Sequence, residues 1–212
     1  MLDYPDKTAC IIWFAGCNMR CSYCYNPDIV CGKGKISFSD ALSFIDRRKH
    51  LLDGVVLSGG ECTMYKDLDA FAVAIRQMGL LIKIDTNGLN PALLKSLIQS
   101  QLADYIALDF KAPHSKFRAI TRTLQFSKFE RSLDILLSSA ISFEVRTTIH
   151  SELLKQEDLQ EMALFLEEKK YGGNYYLQYF INNTATIGAL PASHGRIDIG
   201  RLNCSVPIIE RN

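Results

Sequence analysis

Along the chain, short apolar runs rich in β-branched and aromatic residues alternate with stretches whose apolar positions recur every three or four residues. The runs Thr8 to Phe14, Gly54 to Ser58, Leu80 to Asp85, Tyr105 to Phe110, Phe143 to Ile149 and Tyr175 to Phe180 predict six strands. Between them the spacing predicts helices over Ser39 to Lys49, Asp67 to Met78, Pro91 to Gln99, Lys128 to Ser139 and Gln156 to Lys169. Ser37 or Ser39 and Asn90 can cap two of these helices, and Pro91 suits a first helical position. Strand and helix in alternation imply an α/β fold with a parallel sheet and right-handed crossovers. Six such units are fewer than the eight of a closed barrel, which takes about 250 residues. An open barrel and a doubly wound sheet are both compatible with the pattern. The expected organisation is one domain over residues 1–212, with the repeating units over about 7–181. A tail from about 182 to 212 lacks periodicity and is expected to close the mouth of the barrel or to contact a partner.

Alternation within the strands separates two faces, because neighbouring strand residues point to opposite sides. Ile106, Leu108 and Phe110 share one face of the fourth strand, and Tyr105, Ala107, Asp109 and Lys111 the other. Lys83 falls with Asp85, Glu144 with Arg146 and Thr148, and Tyr176 with Gln178. One face of the sheet is therefore apolar and the other repeatedly polar. A filled barrel is lined by branched aliphatics, so this stripe points to a hydrated lumen for a polar ligand, or else to salt-bridged pairs inside a core.

Composition narrows the classes. The 212 residues are 48% hydrophobic, enough to bury one core, and 24 basic against 23 acidic side chains give a formal charge of +1, without the basic excess of a nucleic-acid binder. No apolar run approaches the roughly 18 residues of a membrane span, so neither a membrane nor a nucleic-acid partner is expected. Seven cysteines are an odd number, and the N-terminal residues do not read as a secretory signal. A disulfide framework is thus disfavoured, and the expected location is the cytoplasm, where thiols stay reduced.

Three of those cysteines, Cys17, Cys21 and Cys24, follow the first strand at C-x3-C-x2-C spacing. Three thiolates on so short a loop can hold three corners of a [4Fe–4S] cube and leave the fourth iron open, whereas an electron carrier supplies four. A structural zinc needs four closed ligands. Cys10 lies within the strand-like run, on the order of 20 Å from Cys17 at about 3.3 Å per residue. Cys31, in the stretch Cys31 to Lys35 with its two glycines, is the remaining candidate for a fourth thiolate. Two further strand ends carry turn chemistry. Ser58, Gly59, Gly60 and Glu61 close the second strand, where glycines let a backbone approach a ligand and a carboxylate can meet an ammonium. Asp85, Thr86, Asn87 and Gly88 close the third. Each reads alone as a turn, but all three segments fall at the C-terminal ends of parallel strands, where such folds bind ligands.

The segment Cys17-Asn-Met-Arg-Cys21-Ser-Tyr23-Cys24, with an aromatic residue before the last cysteine, together with Gly59-Gly60-Glu61, resembles the radical S-adenosylmethionine superfamily. That resemblance implies a partial (β/α)6 barrel with the cluster's open iron chelated by the amine and carboxylate of S-adenosylmethionine. Reductive cleavage of its sulfonium then yields a 5′-deoxyadenosyl radical. Over most of the chain the sequence is similar to activating enzymes of glycyl radical proteins, and among them to anaerobic ribonucleoside-triphosphate reductase activating proteins. The similarity runs through Leu2-Asp3-Tyr4-Pro5, Cys24-Tyr25-Asn26-Pro27, Asp85-Thr86-Asn87-Gly88, Asp109-Phe110-Lys111-Ala112-Pro113 and Arg146-Thr147-Thr148. It implies that Cys17, Cys21 and Cys24 hold the cluster and that Glu61 and the Gly59-Gly60 backbone take the methionine ammonium. Tyr23, Asn26, Ser58 and Asn87 join the cofactor site. Asp85, Thr86 and Asp109 shape a monovalent cation site beside the carboxylate, with Lys111 and Arg146 nearby. Two residues depart from the pattern: Tyr25 stands where the family has His, and Cys62 where it has Pro. Tyr25 can still stack or hydrogen-bond near a cluster, and Cys62 is expected to act as a small apolar filler.

The expected function is therefore that of an oxidoreductase that abstracts hydrogen from a glycine of a partner, the large subunit of anaerobic ribonucleotide reductase, with flavodoxin or ferredoxin as reductant. Two other readings stand beside it. A small-molecule enzyme resembling 7-carboxy-7-deazaguanine synthase shares the short barrel, and a non-enzymatic module would use Cys31 to complete a four-thiolate site.

Overall fold

The computed structural model describes residues 3–211; Leu2 of the similarity above lies outside them. Seven strands form one sheet in sequence order, β1 Ala9–Phe14, β2 Gly54–Gly59, β3 Leu81–Thr86, β4 Tyr105–Asp109, β5 Ser142–Ile149, β6 Tyr175–Tyr179 and β7 Ile208–Arg211. Every neighbouring pair is parallel, and β1 and β7 stand at opposite edges, so the sheet is unclosed, as in a partial barrel. The seventh strand was not expected. Four residues behind Pro207 are too short to show a period, and what recruits them is pairing with β6 in the register Tyr175 to Ile208. A parallel pair requires a long crossover. Residues 180–207 provide it without an α-helix, carrying only the short turn Ile199–Arg201. This crossover is pinned to a neighbouring helix by reciprocal amide bonds: Gln156 bonds both O and N of Asp198, at 2.9 and 3.0 Å, and Gln160 both O and N of Asn203, at 2.9 and 2.8 Å.

The helices are α1 Pro27–Cys31, α2 Phe38–Asp46, α3 Leu68–Gln77, α4 Pro91–Gln99, α5 His114–Thr121, α6 Phe126–Leu137 and α7 Gln156–Glu168. Ser37, rather than Ser39, caps α2 by accepting from Asp40 N, and Asn90 caps α4 by accepting from Leu93 N. The second helix stops at Asp46, short of Lys49, because the chain tightens into the 3-10 turn Lys49–Leu51. Two helices were absent from the sequence pattern. In α1, five residues with Pro27 in the first turn replace the expected loop at Cys31, and α5 buries Phe117, Ile120 and Thr121 behind a polar first turn. Left-handed Arg122, at φ 63°, ends α5.

The apolar face of the sheet meets these helices. Ile106, Leu108 and Phe110 are buried, and Phe110 lies 4.7 Å from Phe129 of α6 and 5.5 Å from Phe165 of α7, ring centre to ring centre. Each side chain so buried contributes roughly 1.5–3 kcal/mol. The core thus lies between sheet and helices, and the polar face is turned inward toward the lumen.

Candidate active site

The cysteine loop leaves β1 at Phe14 and is held by backbone bonds on three sides. Gly16 N donates to Ile29 O of α1 at 2.8 Å, and Arg20 N and Ser22 N donate to Thr121 O and Ile120 O of α5 at 2.9 and 3.2 Å. On the third side the crossover strap lies across the loop, with Ile187 N donating to Cys24 O at 3.0 Å and Gly188 N to Ser22 O at 2.9 Å. A side chain at Gly188 would meet Ser22 Cβ at 2.8 Å, so the strap packs at glycine distance. Arg20 folds back to donate to Cys17 O at 2.5 Å and Met19 O at 2.7 Å. The two unexpected helices and the aperiodic tail are therefore what shape the loop.

The glycines of β2 answer to the same loop. Gly59 has φ 119°, and a Cβ there would strike the Phe14 backbone at 2.4 Å; one on Gly60 would meet Gly16 O at 2.0 Å. Gly60 N donates to Phe14 O and Glu61 N to Gly16 O, at 2.8 and 2.9 Å. What the paired glycines admit is thus the backbone that carries Cys17. Glu61 is buried and turned toward the next strand end. Its Oε1 accepts from Thr63 N, Thr63 Oγ1 and Thr86 Oγ1, and its Oε2 from Asn87 N at 2.7 Å. Burial pushes its pKa up against the pull of those four donors. Asn87 in turn donates to Asn18 Oδ1 at 2.8 Å and approaches Cys17 Sγ at 3.8 Å, linking the Asp-Thr-Asn-Gly turn to the loop.

These segments surround one cavity of about 280 Å³ whose wall contains the three loop cysteines and every cofactor-site residue implied by the resemblance, but not Cys31. Cys17, Cys21, Tyr23, Cys24 and Asn26 come from the loop; Ser58, Gly59, Gly60 and Glu61 from β2; Asp85, Thr86 and Asn87 from β3; Asp109, Lys111 and Arg146 from β4 and β5. The wall also holds Ile11, Trp13, Met19, Val30 and Ile187, which the motifs did not flag. Trp13 is the only tryptophan of the chain and 52% exposed, and its place on the lumen face was readable from alternation along β1. Ile187 carries no such signal. Cys31 is exposed, outside that wall, and Cys62 is fully buried, its thiol donating to Asp85 O at 3.5 Å. The ring of Tyr25 lies 6.0 Å from that of Phe180.

The chemistry of the wall is polarised. Arg146 Nε donates to Asp109 Oδ1 at 2.5 Å and Nη2 lies 3.1 Å from Asp85 Oδ2; Lys111 Nζ donates to Asp109 Oδ2 at 2.9 Å, and Lys83 Nζ to Asp85 Oδ1. Ion pairing and a cavity therefore coexist on the polar face. Burial works against the Asp109 charge, but Arg146 and Lys111 outweigh it and hold the carboxyl well below its usual range. Burial likewise opposes the Lys111 and Arg146 charges, and the neighbouring carboxylates hold both cations firmly protonated. Burial raises the Cys17 thiol and pushes Cys21 to about 12. Buried thiols release protons to a metal rather than to water. Among the described residues no three His, Cys, Asp or Glu side chains converge on a single-ion position. Tyr23 contributes to the cavity wall, and its hydroxyl, sealed from solvent, has no hydrogen-bond partner among the described residues. The thiols, carboxylates and fixed cations of the wall are the donor set that suits a polar, charged ligand.

Residues 11–167 match the family model described as the Radical SAM superfamily. A Methanocaldococcus jannaschii protein named as a glycyl-radical enzyme activating enzyme is 31% identical over 169 residues, which cover 76% of this chain and 70% of that protein. The pyruvate formate-lyase-activating enzyme of Clostridium pasteurianum is 25% identical over 167 residues, covering 72% of this chain and 67% of the relative. Among solved structures, Streptococcus suis SuiB superposes with a TM-score of 0.76 at 15% identity, over 100% of this chain and 50% of SuiB. At that identity the likeness speaks for the fold, and the chain spans about half the length of SuiB.

Proposed function

The chain belongs to the radical S-adenosylmethionine superfamily and is a radical SAM enzyme, and from that premise we propose that it activates a glycyl radical protein, the large subunit of an anaerobic ribonucleoside-triphosphate reductase. The observation that carries this reading is the cavity that places three thiols, two fixed cations and the Glu61 carboxylate in one wall. When bound, a reduced [4Fe–4S] cluster and S-adenosylmethionine supply a 5′-deoxyadenosyl radical able to take a hydrogen atom from a glycine. Cys17, Cys21 and Cys24 hold three irons and leave one open. Lys111 and Arg146 attract the cofactor's carboxylate. Glu61 Oε2, which accepts a single N–H, has a lone pair for the ammonium beside the Gly59-Gly60 backbone. Tyr23, Asn26, Ser58, Thr86 and Asn87 complete the wall around the bound group. Ile11, Trp13, Met19 and Ile187 keep water from the reacting glycine. In this reading the protein works in the cytoplasm, and flavodoxin or ferredoxin delivers the electron.

The test begins with anaerobic reconstitution, followed by electron spin resonance of the reduced protein with and without S-adenosylmethionine and then with the reductase subunit. A cluster signal that shifts on cofactor addition, followed by a glycyl radical doublet on the reductase, is expected. A cluster indifferent to S-adenosylmethionine overturns the cofactor site. A doublet on pyruvate formate-lyase but not on the reductase reassigns the partner.

A further inference from the structure

The ion network on the central strands carries one more cation than carboxylate, and the Glu61 carboxylate of the same cavity wall stands outside it. Lys83, Lys111 and Arg146 meet only two carboxylates, Asp85 and Asp109. Each of the four carboxylate oxygens already faces a cationic donor. Asp85 Oδ1 accepts from Lys83 Nζ, and Asp85 Oδ2 accepts from Ser58 Oγ at 3.2 Å and lies 3.1 Å from Arg146 Nη2. Asp109 gives one oxygen to Arg146 at 2.5 Å and the other to Lys111 at 2.9 Å. The family resemblance implied a monovalent cation beside these carboxylates, and that expectation does not fit the residues present. An added ion would have to share carboxylate oxygens that each already face a cationic donor, and would bring a fourth positive charge to a desolvated network of three cations and two carboxylates.

Lys83 differs in kind from the other two cations. Lys111 and Arg146 stand in the cavity wall; Lys83 does not, and its side chain is only 1% exposed. Its strand neighbours are Val56 and Tyr105, and Asp85 is the one hydrogen-bond acceptor of its ammonium. A bare ammonium in such a place is costly unless it answers a charge. We propose that Lys83 is a positioning residue that serves as a built-in monovalent cation. From behind the cavity wall it neutralises Asp85, so the positive charge of Arg146 and Lys111 is left over for an anionic group of the ligand. The inference rests on the reading of the cavity as an S-adenosylmethionine site.

Two measurements on the reconstituted protein test it. The first titrates S-adenosylmethionine by its effect on the cluster's spin resonance in buffers where choline replaces sodium and potassium. The second follows sodium binding to the oxidised protein by the line width of sodium NMR, without S-adenosylmethionine. The wild type is expected to bind the cofactor equally in every salt and to show no bound sodium. Lys83→Ala is expected to bind the cofactor on the order of tenfold more weakly in choline, as for loss of a charged hydrogen bond, and to recover in sodium or potassium as an ion takes the vacated place. Wild-type cofactor binding that requires sodium or potassium overturns the inference, as does wild-type sodium uptake that disappears in Asp85→Asn, or a folded Lys83→Ala that no ion rescues. Should Lys83→Ala lose its circular-dichroism signal, the wild-type sodium measurement decides. A wild type that binds no S-adenosylmethionine in any salt defeats the reading of the cavity, and the sodium measurement still judges Lys83.

Discussion

Glu144 and Arg146 stand two residues apart on β5 and face the same way, yet they belong to different assemblies. Arg146 joins Lys83, Asp85, Asp109 and Lys111 in a network beside the cavity that carries one more cation than carboxylate. Glu144 closes the lumen nearer the N-terminal ends of β4 and β5. Arg211 of β7 grips both its oxygens at 2.9 Å, Tyr105 donates to Oε2 at 3.1 Å, and the guanidinium lies 3.6 Å from the centre of the Tyr176 ring. One ionic group is over-supplied with cations and open; the other is matched charge for charge and filled. The difference teaches that a polar stripe on a strand encodes burial of charge without saying whether the charge binds a ligand or seals the fold.

Substitutions separate the two assemblies. The largest effect is expected at the open end: Cys17→Ala, Cys21→Ala and Cys24→Ala each abolish a stable cluster, read as lost iron content and visible absorbance, with the sealed end intact. Next comes Arg211→Met, which strands Glu144 in the interior and costs roughly 3–5 kcal/mol of stability by urea denaturation. The molecules that remain folded keep their cofactor affinity. Equal loss of affinity would erase the distinction between sealing and binding. Arg146→Met reverses the pattern. Lys83 and Lys111 still balance Asp85 and Asp109, so stability changes little, while S-adenosylmethionine affinity falls by about 1.5–3 kcal/mol, the range for a charged hydrogen bond.

The smallest expected effect is a pH dependence that distinguishes the strap from the ion network. His150 is buried, its Nδ1 accepting from Glu152 N at 3.2 Å and its Nε2 facing Pro191 O at 3.1 Å, so those partners assign the proton to Nε2. Burial holds its pKa below the ordinary value near 6.5. The folded state therefore binds fewer protons than the unfolded one, and stability is lost as pH falls below about 6.5, by at most about 1.4 kcal/mol per pH unit. Asp109, depressed by its cations, keeps its contribution until pH falls below its unfolded value of about 3.9. Melting temperatures of the wild type and His150→Gln across pH 4–7, an interval of about three units around these values, should diverge only above the carboxylate range.

The parts legible in the sequence were those whose cause is local. Alternation and turn chemistry located the first six strands to within a residue at either end, and the spacing of Cys17, Cys21 and Cys24 carried the cluster hypothesis without help from the fold. What escaped depends on contacts distant along the chain. The helix α5 has only two apolar residues on its buried face, β7 is four residues long, and neither declares itself until it meets the cysteine loop or β6. Glu61 reads as a free carboxylate in the motif, yet two of its four donors, Thr86 Oγ1 and Asn87 N, reach it only once β3 lies beside β2. Lys83 was visible as a member of the polar stripe but not as the partner of Asp85.

The bonds from Ile187 and Gly188 to the cysteine loop also have a meaning in time. More than 160 residues separate the two sides of that contact. At the ribosome's pace of about 5–20 residues per second, roughly 8–30 s elapse between synthesis of the loop and synthesis of the strap that lies over it. The thiols are thus complete well before their cover exists, and the nascent chain offers a metal-loading machinery its freest access to them during that interval.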